Sequence, residues 1–219
     1  MLTGIGMFIL ILFALLLCVY MTRREEETSN TLQILGIFLE KKYIVLLSIG
    51  YICSIGIYCF QFYAFEHTFL KAFMDAAVLL WLIVLGYIDL REKIIPNKMI
   101  LAGIVFWCIL SLLEIFVAGV SWKEILMYSA SGAIVCGGIL LLIATIAKSA
   151  LGMGDVKLFF VLGLLYGIID TYSILLFTVF VMAIVSIALL IAKKVTIKTA
   201  VPMAPFVVVG LLVDIFLTR

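Results

Sequence analysis

Charged residues and histidine are scarce in this chain. Of its 219 residues only 13% are charged and one is histidine, whereas 67% are hydrophobic. A soluble domain cannot cover that much apolar surface with so few polar side chains, but a bilayer removes the need for such a cover. The scarcity therefore excludes a soluble fold and predicts an integral membrane protein.

The sequence also lacks the residues that several kinds of functional site require. The five cysteines include no C-x-x-C pair, so neither a zinc site nor a disulfide framework is indicated. The single histidine, His67, cannot supply a His-rich metal site, and no Walker-type phosphate loop occurs. A net charge of +2 gives no electrostatic sign of a nucleic-acid partner. We therefore expect no metal, no cofactor and no nucleic acid.

Apolar runs recur along the whole chain. At about 20 residues per span, they predict a polytopic all-α protein embedded in the lipid bilayer. About eight transmembrane helices are expected, at 3–21, 43–65, 69–88, 99–118, 124–147, 156–169, 172–192 and 199–217. The predicted domains are an N-terminal two-span region, 1–65, with a short cytoplasmic loop over 22–42, and a six-span core, 66–219.

Loop charges predict the orientation of these helices, because Lys and Arg concentrate on the cytoplasmic side. With the N-terminus outside, the outer loops and the C-terminus hold three of the fifteen basic residues: Lys71, Lys123 and Arg219. All the others lie on the inner side. Both termini are therefore predicted to be extracytoplasmic.

Acidic residues near a bilayer are costly, so each of the thirteen needs a reason. Five lie in predicted cytoplasmic loops, and Glu124 completes a capping box with Ser121. Others lie near predicted outer helix ends, where capping or snorkelling suffices: Glu66, Glu114, Asp170 and Asp214. Asp75 lies inside the third span, either as a packing polar group or as part of a cavity. Asp89 and Asp155 remain, and both are predicted at the cytoplasmic edge.

The first of these aspartates closes the third span, in Gly-Tyr-Ile-Asp-Leu-Arg-Glu-Lys-Ile-Ile-Pro-Asn97. Pro96 disfavours helix at the preceding residue and predicts a tight extended excursion over 90–96, after which Asn97 caps the fourth span. Asp89 could instead have a purely structural role, as the partner of Arg91 in a surface ion pair.

The second aspartate opens the sixth span, in Leu-Gly-Met-Gly-Asp-Val-Lys-Leu158. Gly152 and Gly154 allow torsions and close approaches that other residues do not. Non-helical backbone near membrane depth is tolerated where it is buried in protein or lines a wet cavity, so both segments indicate a water-accessible pocket. A simple helix cap is the structural alternative for Asp155. Gly163 and Gly167 form a G-x-x-x-G that permits close helix packing.

Two carboxylates within hydrogen-bonding distance do not both ionise readily, so they share a proton. The charged member can take a proton from a water held between them, and the protonated member can donate to a substrate carbonyl. A pair formed by Asp89 and Asp155 would therefore be equipped for aspartyl proteolysis.

At these residues the chain resembles the type IV prepilin peptidases, a family of GxGD-type membrane aspartyl proteases. The resemblance covers about residues 75–215 and includes Val-Pro-Met-Ala-Pro-Phe206, which is similar to the family's proline-containing stretch. It implies that Asp89 and Asp155 are catalytic. It also implies a set of site-shaping or substrate-binding residues: Arg91, Pro96, Asn97, Gly152, Gly154, Lys157, Pro202 and Pro205.

The resemblance further implies a substrate and a location. Such enzymes cleave the leader peptide of type IV prepilins or pseudopilins at the cytoplasmic face of a bacterial or archaeal cytoplasmic membrane, before the apolar helix of the mature subunit. Many members carry two Cys-x-x-Cys pairs between their first two spans, associated with a zinc site. Loop 22–42 has no cysteine, which argues against metal binding and against N-methyltransferase activity.

Two rival functions remain open. Other GxGD proteases, which cut within the membrane, place Tyr and Asp adjacent, whereas Tyr87 and Asp89 here have a residue between them. A proton-coupled transporter could use the same two aspartates as carriers, but it should have broken helices near the midplane and repeated halves. This chain concentrates its backbone breakers at one edge.

Overall fold

Long helices make up the described part of this chain. The computed structural model describes residues 41–64, 69–146, 152–193 and 201–217, without the side chains of 41–47 and 62–64. The helices are α1 (Lys41–Ala64), α2 (Phe69–Glu92), α3 (Asn97–Ala118), α4 (Trp122–Ile146), α5 (Met153–Ile191) and α6 (Ala204–Leu217). The C-terminal end of α3 is a π-helical turn at Glu114–Ala118, and the middle of α4 contains another at Ala133–Gly137.

Four of these helices, α2 to α5, are long and apolar enough to cross a membrane. The segment Ser48–Gln61 of α1 and the whole of α6 are shorter apolar helices. The expectation of an all-α membrane protein is confirmed for the described residues. The number of eight spans and the orientation stay predictions. The first predicted span, 3–21, and all but the last two residues of loop 22–42 lie outside the described residues.

Contacts divide the chain into two compact units, Met1–Val84 and Leu85–Arg219. In the first unit, α1 and α2 are joined by a buried polar contact: Gln61 Nε2 donates to Asp75 Oδ2 at 2.7 Å, and both side chains are buried. Of the two readings of Asp75 drawn from the sequence, this geometry favours the packing polar group, because its carboxylate holds two helices together. The predicted domain boundary at 65/66 stays a prediction.

In the second unit, α5 consists of two helical segments with a sharp bend between them. Gly167 has φ 66° and ψ −168°, a conformation that favours glycine. The Thr171 hydroxyl donates to the Leu162 carbonyl at 3.1 Å, although nine residues of straight helix would place them about 13 Å apart. The chain therefore folds back at Gly167. The two segments correspond to the predicted spans 156–169 and 172–192, with the break slightly earlier than expected.

Glycines allow α4 to lie directly against α5. A Cβ at Gly132 would overlap the backbone of Gly163 and Gly167, and a Cβ at Gly163 would overlap the backbone of Gly132. Further along α4, a Cβ at Gly137 would lie 3.2 Å from the Cβ of Phe160. Because higher numbers on α4 meet lower numbers on α5, these segments run antiparallel. Small residues thus bring the two backbones into contact, as the G-x-x-x-G spacing predicts.

Several helix ends differ from the predictions. α2 continues to Glu92, so Asp89 lies inside its last turn rather than at its end. Lys93 has φ 54° and its N–H donates to the Asp89 carbonyl at 2.9 Å, which ends the helix in the left-handed manner of many C-termini. The extended excursion is therefore confined to 93–96 instead of 90–96.

Two predicted caps are also wrong in detail. Pro96, with φ −68° and ψ 133°, occupies the N-cap position of α3, and Asn97 is the first helical residue. Ser121 is the N-cap of α4 as expected, but no side-chain hydrogen bond accompanies it, so the capping box with Glu124 does not form. In both helices the extended conformation of the N-cap residue, rather than a side-chain acceptor, marks the start.

Asp214 is predicted to cap or snorkel near an outer helix end, and the snorkelling alternative is wrong. Its side chain is 0% exposed. α6 packs on the second segment of α5 at Gly210, where a Cβ would meet Ile174 and Thr178. Asp214 lies one turn after Gly210 and therefore shares this packed face, so its carboxylate is held in the protein interior.

Candidate active site

Asp89 is buried where α2 meets the start of α6. Its side chain is 5% exposed, and its Oδ2 accepts the backbone N–H of Ala204 at 3.0 Å. The backbone N–H of Met203 donates to the same carboxylate. The first N–H groups of a helix have no partner within that helix and carry the positive end of its dipole. The start of α6 therefore supplies a positive electrostatic environment for Asp89.

Pro202 and Pro205 flank this contact. Pro202 lies in the non-helical stretch before α6, and Pro205 lies in the first turn of α6, where proline is well tolerated. Gly86 permits the approach, since a Cβ there would be 3.2 Å from the Cα of Pro205. The two prolines thus bracket the backbone that binds Asp89.

Asp155 is half-buried in the first turn of α5. The N-cap of this helix is Gly152, and the Asp155 carboxylate accepts the backbone N–H of Gly152. The side chain thus stabilises the helix start, in the way that the alternative role of Asp155 as a helix cap predicts. Asp155 is, however, the third helical residue and not the cap itself. The carboxylate also interacts electrostatically with Asp89. The structure therefore brings the two aspartates together from different helices.

The segment after Asp89 is held against the segment around Asp155. Ile95 is buried, and a Cβ on Gly154 would lie 3.0 Å from the Cβ of Ile95. A larger residue than glycine at this position would push the two segments apart. Pro96, also buried, follows Ile95 and starts α3. The glycine before Asp155 thus serves a close approach to the first motif.

A second contact joins the same two motifs. Lys157 Nζ donates to Asn97 Oδ1 at 2.9 Å, linking the first turn of α5 to the first residue of α3. Arg91 is exposed, and its guanidinium lies 5.3 Å from the centre of the Tyr87 ring, one turn earlier on α2. The residues implied by the resemblance therefore divide into those around the carboxylates and those on adjoining helix starts.

Three contributors were not predicted as site residues: Gly86 and the backbone N–H groups of Met203 and Ala204. Gly86 lies in the first motif, three residues before Asp89, and its position there was an available signal. The side chains of Met203 and Ala204 carry no signal, because the donors are main-chain groups that every residue except proline possesses. The non-helical stretch between two prolines was the available hint.

This arrangement supports acid–base catalysis by two carboxylates that are largely shielded from solvent. Two carboxylates that approach within hydrogen-bonding distance can hold one proton between them and exchange it with a bound water or a substrate oxygen. The described residues contain no cluster of three His, Cys, Asp or Glu side chains that could hold a metal ion.

Comparison with known proteins bears on the segment that contains both aspartates. No curated protein and no solved structure matches the chain. A sequence model of the type IV leader peptidase family matches residues 76–187, half of the chain, and this range includes both aspartate motifs. The chain therefore belongs to the type IV leader peptidase family, and is a membrane peptidase.

Proposed function

We propose that this protein is a membrane aspartyl endopeptidase that removes the leader peptide of type IV prepilins or pseudopilins, with Asp89 and Asp155 as its catalytic pair. The observation that carries the proposal is the meeting of these two carboxylates inside the segment that matches the family. Neither aspartate alone would suffice as support, because each also has a structural contact at a helix start.

The mechanism requires no group beyond the two carboxylates and a water. The ionised carboxylate takes a proton from the water as its oxygen attacks the scissile carbonyl carbon, while the protonated carboxyl donates its proton to the carbonyl oxygen. The tetrahedral species then collapses: one of its hydroxyls returns a proton to the ionised carboxylate, the C–N bond breaks, and the leaving amine takes the proton held by the other carboxyl. The N–H groups of Met203 and Ala204 keep Asp89 oriented through these steps.

The basic residues around the site support its position on the cytoplasmic side of the membrane. Arg91, Lys93 and Lys98 surround the end of α2 and the start of α3, and Lys157 lies beside Asp155. Basic residues concentrate on the cytoplasmic side of membrane proteins. Cleavage is therefore proposed at the cytoplasmic face, next to the apolar helix of the mature subunit.

The test is cleavage of a prepilin peptide by the purified full chain in detergent. The peptide carries a basic leader followed by an apolar segment of about 20 residues, long enough to span a bilayer. We expect one new N-terminus at the start of the apolar segment, identified by mass spectrometry. Cuts inside the apolar segment would instead indicate an intramembrane protease of another kind, and no cleavage of any prepilin peptide would contradict the proposal.

The backbone contact to Asp89 gives a second prediction. Ala204→Pro removes the N–H that donates to Asp89 but keeps a residue that suits the first turn of a helix. A hydrogen bond to a charged group contributes about 2 kcal/mol, so we expect kcat to fall about thirtyfold. Ala204→Gly keeps the N–H and is the matched control. Equal activity of the two variants would show that this contact does not matter.

A further inference from the structure

An apolar groove lies in the same unit as the aspartate pair. It has a volume of about 720 Å³ and is lined by one stripe from each of three helices, within 97–104, 133–141 and 153–160. In each stripe the lining residues recur every three or four positions over two turns. The groove therefore runs along the helices for about 10 Å, the length of two helical turns.

The groove begins at the edge where both motifs lie. The Lys157–Asn97 hydrogen bond joins the starts of α3 and α5 and places them side by side. These two residues form the polar end of the groove, and the rest of its lining is apolar side chains and glycine. An occupant must therefore be apolar along two turns and can offer an acceptor to the Lys157 ammonium at the end nearest the site.

The Asp155 side chain projects from the other side of the same first turn of α5. With 3.6 residues per turn, it points about 150° around the helix axis from the middle of the α5 residues that line the groove. Between the two lies the start of α5, where Gly152 has no side chain and Met153 is 55% exposed. A helix is about 10 Å across, so about three extended residues cross it. A chain that is helical in the groove can therefore be extended at the aspartates.

We propose that this groove binds the apolar helix that follows the cleavage site of the substrate. This proposal rests on the proposed function, and it identifies the groove as the surface that selects the substrate of the peptidase. The position of the groove favours this occupant, because Met153, Val156 and Lys157 line it from the same first turn of α5 that carries Asp155, and a few extended residues suffice to pass from one side of that turn to the other. The floor favours a helix as well: Gly138 presents bare backbone, and close approach at small residues is how membrane helices bind one another.

Gly138 allows the groove to be filled without disturbing the fold, because a Cβ there meets none of the described residues within 4 Å. Gly138→Phe would place a ring in the groove. A Cβ at Gly56 on α1 also has no atom of the described part of the chain within 4 Å, so Gly56→Phe is the matched control. Two peptides are compared: the prepilin peptide with its full apolar segment, and a short one that keeps one helical turn after the cleavage site.

In Gly138→Phe we expect the ratio of kcat/KM for the long peptide to that for the short peptide to fall at least about tenfold, mainly through KM. Gly56→Phe should keep the wild-type ratio. An unchanged ratio in Gly138→Phe, with wild type cleaving both peptides, would overturn the groove and leave the proposed function standing. If wild type cleaves neither peptide, the proposed function fails and this proposal fails with it.

Cross-linking identifies the occupant independently of cleavage. A photoreactive benzoylphenylalanine replaces Leu101, a groove residue that is 61% exposed, in an Asp155→Asn chain reconstituted in phospholipid vesicles with the long peptide. An adduct with the apolar segment of the peptide supports the proposal. Adducts with phospholipid alone, with a second copy of this chain, or with residues 3–21 of the same chain would overturn it.

Discussion

Asp89→Asn and Asp155→Asn should each lower kcat for cleavage of the prepilin peptide by at least about 10³-fold, equivalent to about 4 kcal/mol of transition-state stabilisation. Asparagine has nearly the same shape as aspartate, and its oxygen can still accept the N–H of Ala204 or of Gly152. It cannot take a proton from water or donate one from a carboxyl. The loss should therefore be in kcat, with KM little changed.

The matched control is a third aspartate in an apolar helix. Asp75 lies on α2, fourteen residues before Asp89, and is fully buried. Asp75→Asn keeps an oxygen that can accept from Gln61 Nε2, so we expect activity within about twofold of wild type, because hydrogen bonds between membrane helices contribute little on average. Full cleavage by either Asp89→Asn or Asp155→Asn would refute the paired mechanism, whatever Asp75→Asn does.

The second large effect concerns folding. Gly132→Ala should destabilise the protein by at least about 3 kcal/mol, because the added methyl overlaps the backbone of Gly163 and Gly167 and two helices must move apart. Backbone atoms cannot rotate away as a side chain can. The measurement is the unfolding transition of the purified chain in detergent, followed by circular dichroism during thermal or denaturant unfolding.

Gly138→Ala is the control for this prediction, since Gly138 lies on the same helix and an added methyl there meets no atom within 4 Å among the residues that the structure describes. Alanine has a higher helix propensity than glycine by about 1 kcal/mol. We therefore expect Gly138→Ala to be neutral or slightly stabilising. A Gly132→Ala chain as stable as wild type would show that α4 and α5 are not in backbone contact.

Patterns that repeat over many residues were predictable from the sequence. Apolar runs placed helices close to where α1 to α4 are found, because in a bilayer the backbone must satisfy its own hydrogen bonds. Pro96 marked the start of α3, since proline restricts the residue before it. The position of Gly163 also indicated a close helix approach.

Local details of the helix ends were less predictable. Asn97 and Ser121 have the residue types of N-caps, yet neither makes a capping side-chain hydrogen bond. Lys93 adopts a positive φ without being glycine. The side chain of Asn97 instead binds Lys157, sixty residues later in the chain. Contacts between distant segments outweighed the local preference in this case.

The amino-acid sequence alone was enough to predict an all-α membrane protein with two acidic motifs, because both depend only on composition and residue order. It also marked Asp89 and Asp155 as the pair to examine. Two features became visible only in the folded chain: the start of α6 binds Asp89 through backbone N–H groups, and an apolar groove lies on the opposite side of the first turn of α5 from Asp155. The reason is physical: main-chain donors and the spaces between helices have no residue type of their own, and they exist only once distant segments have packed together.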